Sequence, residues 1–360
     1  MSERRYFNLH LASHPLDAWI EFDEFFINQG ILTKLVEIFE ATISNLKIST
    51  LTFCRETMAK LLAGFTGLKS LSFADVDDES DENFVIEPFS ESEKALLRNS
   101  NLPEVEELEM LRSDFFYFYF FENSLNLRKL VIDDRNENII HPEHFEPVLA
   151  KMKNLKDLKL QNFRTGDFLS TDHLANPSFQ LDSLSLTAVY WYLKESGTAF
   201  FKSQRSLKSF HLALENHECS RSEEEFWFND ILKHVFTFNH DLHTVSISTA
   251  ENRGYNIQFT DFLDGIVCPK VETLTYAKGP EDESSALMEA FVKMFPNLKH
   301  FVFKSSSCEP YQDLSLISRW TKLESLNVFE VYGVDLQEIR VTSPNFYKLE
   351  IRYIEPISCN

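Results

Sequence analysis

Asn154-Leu155-Lys156-Asp157-Leu158-Lys159-Leu160-Gln161 decides the fold: counted from Leu155, its large apolar residues stand at positions one, four and six. Side chains alternate along an extended strand, so positions four and six share one face and Lys159 points away from it. Leu155 does not obey that alternation. The chain must turn inward ahead of the strand for this first leucine to pack beneath it. Downstream, Asn162, Gly166 and Asp167 suit turns. Residues 168–174 form a short helical or irregular return, and Asn176-Pro177 ends it.

The same pattern recurs at Leu68/Leu71/Phe73, Leu127/Leu130/Ile132, Leu181/Leu184/Leu186 and Leu323/Leu326/Val328. Looser copies begin at Val105, Leu207, Leu242, Val271, Leu298 and Phe346. An earlier copy reads either as Ile48/Leu51/Phe53 or as Ile43/Leu46/Ile48, and Tyr6 to Leu11 reads as a first strand. Successive starts lie 22 to 29 residues apart, with two longer steps of 37 and 35. This period and motif are the signature of leucine-rich repeats. The expected fold class is α/β: a curved solenoid with a parallel sheet on its concave face and helices and irregular segments on its convex face. Strands are predicted near Leu68–Phe73, Leu155–Leu160, Leu181–Leu186 and Leu323–Val328, with Leu158 and Leu184 buried and Lys159 and Ser185 exposed. Apolar spacing predicts helices over 31–42, 58–65, 226–238 and 286–295. Because each repeat buries its apolar face on its neighbours, one core can run through 1–360 as a single domain, with 1–45 as an N-terminal capping region.

The 360 residues carry 35 Lys and Arg against 56 Asp and Glu, a net charge of −21. Phosphate contacts need a basic excess on some face, so neither nucleic acid nor an anionic membrane is expected as a partner. No apolar stretch approaches the 18 or so residues of a membrane span, and Met1 to Phe7 lacks an apolar signal core. Five scattered cysteines form no C-x-x-C pair, which points to reduced thiols and a cytoplasmic or nuclear location.

With irregular repeat lengths and openings such as Asn126-Leu127-Arg128, Asn154-Leu155-Lys156 and Asn297-Leu298-Lys299, the chain resembles the repeat region of the F-box/leucine-rich-repeat proteins. The asparagine common after such strands is replaced here by Val76, Phe163, Val189, Val331 and Ile354. The resemblance implies a non-enzymatic recognition module resembling the substrate-binding repeats of a ubiquitin ligase receptor. In that family an F-box ahead of the repeats docks the Skp adaptor of a cullin ligase. Nothing before Tyr6 holds such a module, and Pro15-Leu16 to Phe39 does not reproduce its pattern. The sequence is therefore either a piece of a longer chain or an F-box-less relative, and adaptor and cullin are partners only with an upstream F-box. A scaffold or inhibitor acting by binding alone is the alternative. An accelerator of a small GTPase is a further one, disfavoured by the irregular repeats.

A protein ligand is expected on the concave face. The residues singled out there are Arg128, Lys129, Lys156 and Lys159, cations on adjacent repeats that suit a carboxylate or phosphate, and the hydroxyl-rich set Ser183, Ser185, Ser209, His211, Thr244 and Ser246. Lys156, Lys159, Ser183, Ser185, Ser209 and His211 are expected to form one patch. Small hydroxyl residues also simply suit exposed strands, and Asp133 and Asp157 temper the cations. The run Phe115-Phe116-Tyr117-Phe118-Tyr119-Phe120-Phe121 is either packing between repeats or a second partner-binding patch. The pairs His10/His14, His141/His144 and His240/His243 lack completing ligands. No phosphate loop, nucleophile elbow or dinucleotide fingerprint occurs. No cofactor, metal or catalytic residue is expected.

Overall fold

The computed structural model describes residues 7–10, 19–23, 34, 37, 43–53, 55–78, 91–92, 95, 104–112, 124–133, 142–163, 172–188, 195–214, 224–248, 265–278, 284–305, 314–329 and 340–352. The chain divides into two compact units, Met1–Gln161 and Asn162–Asn360. Each is a stretch of α/β leucine-rich-repeat solenoid.

In the first unit β1 (Phe7–His10) pairs antiparallel with β2 (Trp19–Asp23). From β2 onward every pairing is parallel, through β3 (Asn45–Phe53), β4 (Ser70–Asp78), β5 (Glu107–Leu111), β6 (Lys129–Asp133) and β7 (Asp157–Phe163). Helices α1 (Arg55–Gly64) and α2 (Pro142–Leu149) are the returns. The second unit carries β8 (Ser183–Ala188), α3 (Glu195–Ser203), β9 (Ser209–Leu214), α4 (Glu224–Phe238), β10 (Thr244–Ser248) and β11 (Thr273–Lys278). It continues through α5 (Ser284–Met294), β12 (His300–Ser305), β13 (Ser325–Phe329) and β14 (Lys348–Arg352). Strands β8 to β14 pair in sequence order, all parallel. Short 3-10 returns lie at Asp172–Leu174 and Leu314–Arg319.

The motif sets the register. Position four aligns with position four across neighbouring strands, as in Leu184↔Phe210, Phe210↔Val245 and Val245↔Leu274. Leu158, Leu160, Leu184, Leu186, Leu326 and Val328 are buried, as is the first-position residue of every repeat from Leu68 to Leu323. The strands begin two residues later than the motif, at position three, because positions one to three make the inward turn. In seven repeats the first-position N–H donates to the carbonyl three residues back, as from Leu155 to Met152 and from Leu298 to Phe295. The second-position carbonyl then accepts both N–H groups that open the next strand. Asp182 O, for example, takes Lys208 N at 2.7 Å and Ser209 N at 3.1 Å. The residue three before position one is itself a core column: Phe65, Met152, Gln204, Asn239, Phe295 and Trp320 are all buried.

Helices pack on the side that positions four and six occupy. Tyr276 meets Phe291 of α5 edge-on at 5.3 Å, and Phe301 meets Trp320 at 5.0 Å. The early repeat adopts the Ile43/Leu46/Ile48 alternative: all three are buried, and Leu46 and Ile48 align with Leu71 and Phe73. Helices α1, α4 and α5 overlap the predicted spans at 58–65, 226–238 and 286–295. Of 31–42 only Lys34 and Glu37 are described, both helical. Strand β2 and helices α2 and α3 were not expected. Position eight is left-handed in three repeats, at Asp75 (φ 54°), Arg112 (φ 52°) and Asn162 (φ 58°), where the extended chain bends out of the strand.

Candidate functional site

In each unit positions three, five and seven lie on the face opposite the helices: Lys129 and Lys159 occupy it in the first unit, with Arg128 and Lys156 one step aside at position two, and Ser183, Ser185, Ser209, His211, Thr244 and Ser246 occupy it in the second. In the first unit Lys129 aligns with Asp157 and Val131 with Lys159. This face is charged and largely paired with itself. Lys129 Nζ donates to Glu109 Oε1 at 2.6 Å, and that hydrogen bond, with the Glu109 charge, holds the Lys129 ammonium above the usual lysine value against the opposing effect of burial. The same Glu109 accepts from Ser72 Oγ at 3.4 Å. Arg128 Nε lies 3.5 Å from Glu106 Oε2, and Arg112 Nη2 lies 2.6 Å from Asp75 Oδ2. Val131 and Asp133, at positions five and seven of β6, are buried. Lys156 and Lys159 are exposed, and among the described residues Lys159 has no carboxylate partner.

The second unit presents different chemistry. Its third-position row runs Ser183, Ser209, Thr244, Thr273, and its fifth-position row runs Ser185, His211, Ser246, Thr275, each aligned with the next. No Lys, Arg, Asp or Glu interrupts these two rows over four strands. Ser185, expected to be exposed, is half-buried, as are Ser183, Ser209 and Ser246, while Thr244 is exposed. Small side chains on closely spaced strands shade one another, which accounts for the partial burial. Among the described residues, the hydroxyls of Ser183, Ser185, Ser209, Thr244, Ser246, Thr273 and Thr275 make no hydrogen bond to another group of the chain. Charges beside these rows sit one step aside at position two and pair along the ladder. Lys208 meets Asp182 at 3.2 Å and Lys299 meets Glu272 at 2.7 Å. The Lys299 hydrogen bond holds the exposed Glu272 carboxyl below its usual range, and Lys299 is raised in turn.

A third feature is the seventh-position row Lys304, Phe329, Arg352, aligned across β12, β13 and β14; the repeat register already puts both cations on the concave face, and the structure adds the ring between them. Lys304 Nζ lies 5.9 Å and Arg352 Cζ 5.4 Å from the Phe329 ring centre.

The aromatic residues Phe115, Phe116, Tyr117, Phe118 and Tyr119 lie outside the described residues. So do Cys54, Cys219, Cys308 and Cys359. Cys268 is a free, buried thiol that burial pushes up to about 12. Among the described residues no group of three or more His, Cys, Asp or Glu side chains is placed to hold a metal. No described helix is long and apolar enough to cross a membrane.

No family model matches the chain, and no curated protein matches it. Among solved structures, it is similar to the one described as Rad7 and Elc1 complex in yeast: 13% identity over 89% of this chain and 88% of that one, with a TM-score of 0.42. It is also similar to the leucine-rich-repeat-containing protein LegL7 from Legionella pneumophila, at 12% identity over 85% of this chain and 90% of that one, with a TM-score of 0.44.

Proposed function

We propose that this chain is a protein-recognition module and that the hydroxyl face of its second unit, Ser183, Ser185, Ser209, His211, Thr244 and Ser246, holds the partner. One observation carries this reading. The first-unit face spends charges on internal pairs, whereas the second-unit rows present aligned hydroxyls that, among the described residues, no other group engages. Each hydroxyl is both donor and acceptor, so two parallel rows of them suit the alternating N–H and C=O groups of a partner's backbone. Each such bond contributes about 0.5–1.5 kcal/mol net, so affinity comes from several acting together. Of the first-unit cations, Arg128 and Lys129 are committed to Glu106 and Glu109; Lys156 and Lys159, both exposed, are the supporting contacts there.

The test compares two double variants of the full chain by proximity labelling in cells. Ser209→Arg/Ser246→Arg places two bulky cations on the hydroxyl rows without touching the core. Lys156→Glu/Lys159→Glu reverses the exposed first-unit charges. The first is expected to erase the labelled partner set, and the second to thin it. An unchanged partner set with the serine variant overturns the proposal.

The finer reading, supported by the sequence resemblance, is that these repeats select the substrate of an F-box-type ubiquitin ligase. Joining an F-box ahead of the chain should then bring the Skp adaptor down together with the labelled partners and increase their ubiquitination. Unchanged ubiquitination would leave recognition by binding alone.

A further inference from the structure

Three aligned strands at the end of the second unit, β12, β13 and β14, form a block whose charge opposes that of the chain. Its open-face positions are His300, Val302 and Lys304; Ser325, Asn327 and Phe329; and Lys348, Glu350 and Arg352. Three cations, Lys304, Lys348 and Arg352, stand against one carboxylate, Glu350, so the block carries +2 in a chain whose net charge is −21. Fields of this kind are set locally, and an inversion against the net charge draws the opposite partner to one place. All three cations are exposed.

The block is also arranged. Phe329 stands between Lys304 and Arg352, both within the roughly 6 Å over which an aromatic face attracts a cation. The ring therefore spaces the two cations, both of which are exposed. Lys304 has no carboxylate partner among the described residues. Glu350 is held between Lys348, at 3.2 Å, and Arg352, at 2.6 Å, and its hydrogen bonds to them, Lys348's first, keep its carboxyl below the usual range. At the centre, the Asn327 side-chain oxygen is buried and accepts no hydrogen bond, an orphaned acceptor of a kind native chains seldom leave unmet. The edge of the block adds apolar reach, with Tyr347 71% and Leu349 51% exposed.

We propose that this block binds an acidic peptide segment of the partner protein, with carboxylates seated between Lys304 and Arg352. The inference deepens the recognition reading above and rests on it: the hydroxyl rows grip the partner's backbone, and the block selects partners whose next residues are acidic. Glu350 occupies Lys348 and Arg352 in the unbound state, so a ligand carboxylate must compete with it. Removing that competitor strengthens binding, a gain that no purely structural role of Glu350 produces.

The experiment measures fluorescence anisotropy of a labelled ten-residue polyglutamate on the full chain at low and physiological salt. A ten-residue polyglutamine and a ten-nucleotide oligothymidylate serve as comparison probes. Polyglutamate is expected to bind and to weaken with salt as screening shortens, and polyglutamine is not. Lys304→Glu should weaken polyglutamate by about tenfold or more. Glu350→Gln should tighten it roughly two- to fivefold, the range an exposed ion pair competes over. Absence of polyglutamate binding, equal binding by Lys304→Glu, equal binding of oligothymidylate, or weaker binding by Glu350→Gln each overturns the proposal. The recognition reading fails separately, through the Ser209→Arg/Ser246→Arg variant, which leaves this block untouched.

Discussion

Replacing Asn239 by alanine should destabilise the second unit by about 2–3 kcal/mol. Asn239 is 1% exposed and sits in the core column three residues before Leu242. Its Oδ1 accepts the Leu207 N–H at 3.0 Å, from the preceding repeat, and its Nδ2 donates to Val235 O at 3.0 Å. In seven repeats the first-position N–H is served by its own turn, but Leu207 relies on the next repeat's side-chain amide. Truncation leaves that buried donor without an acceptor, at about 1–3 kcal/mol. The second loss is smaller, because Val235 O still accepts Asn239 N at 3.1 Å. Urea unfolding gives the total. Native-state hydrogen exchange locates it, since 2–3 kcal/mol corresponds to roughly 30- to 150-fold faster exchange at Lys208 and Ser209 if opening there is coupled to it. Gln204→Ala is an independent repeat of the experiment: Gln204 Oε1 accepts Leu181 N at 2.9 Å by the same arrangement. Ser124→Ala is the contrast. Ser124 occupies the same column, buried, but its hydroxyl has no partner, so its removal should be neutral or stabilising. If Asn239→Ala and Ser124→Ala change stability alike, the column is filled for volume and the amide bridge contributes nothing.

Leu184→Ala should cost about 2–5 kcal/mol in chemical denaturation, because its side chain is 1% exposed in the core row. Cys268, whose thiol is pushed up to about 12 by burial, should resist a thiol reagent at pH 8 in the folded chain and react on unfolding. Glu272 should titrate below an ordinary glutamate by NMR, because Lys299 holds its charged form. With the folded value depressed, its small contribution is present above the unfolded carboxylate value and is lost as pH falls through the folded one; Lys299→Met should return the titration to the ordinary range.

The strand register was legible because positions one, four and six obey one geometric rule, and burial of Leu155, Leu158 and Leu160 follows from it. Strand β2 escaped for the same reason. Ile20 and Phe22 align with Leu46 and Ile48 and supply positions four and six, but Asp17 stands where an apolar first residue belongs. Helix α3 includes Gly197 and Thr198, which weaken a propensity argument that packing of Phe200 and Phe201 overrides. Helix α2 contains Pro147, a residue that argues against a helix interior. The column ahead of position one was also illegible, since Phe65, Gln204, Asn239 and Trp320 share a place in space and no residue type.

The candidate site was half legible, and the missing half is the informative one. Sequence put Lys129 and Ser209 at the third position of their repeats, and each opens its own strand there. What sequence could not give is which groups are already satisfied, because that depends on where each side chain ends. Lys129 is a cation in sequence and half of a 2.6 Å ion pair in space. Binding through it would first have to break that pair, so it adds little to affinity. Ser209 carries no charge and draws no notice alone, yet it stands in a row whose hydroxyls are unengaged. Binding to such groups exchanges solvent contacts for partner contacts and breaks nothing within the chain. The ranking of the two faces therefore inverts when pairing is counted. Lys304 obeys the same logic, as a cation beside an aromatic ring with no carboxylate partner among the described residues, and the proposed charge selectivity rests on it.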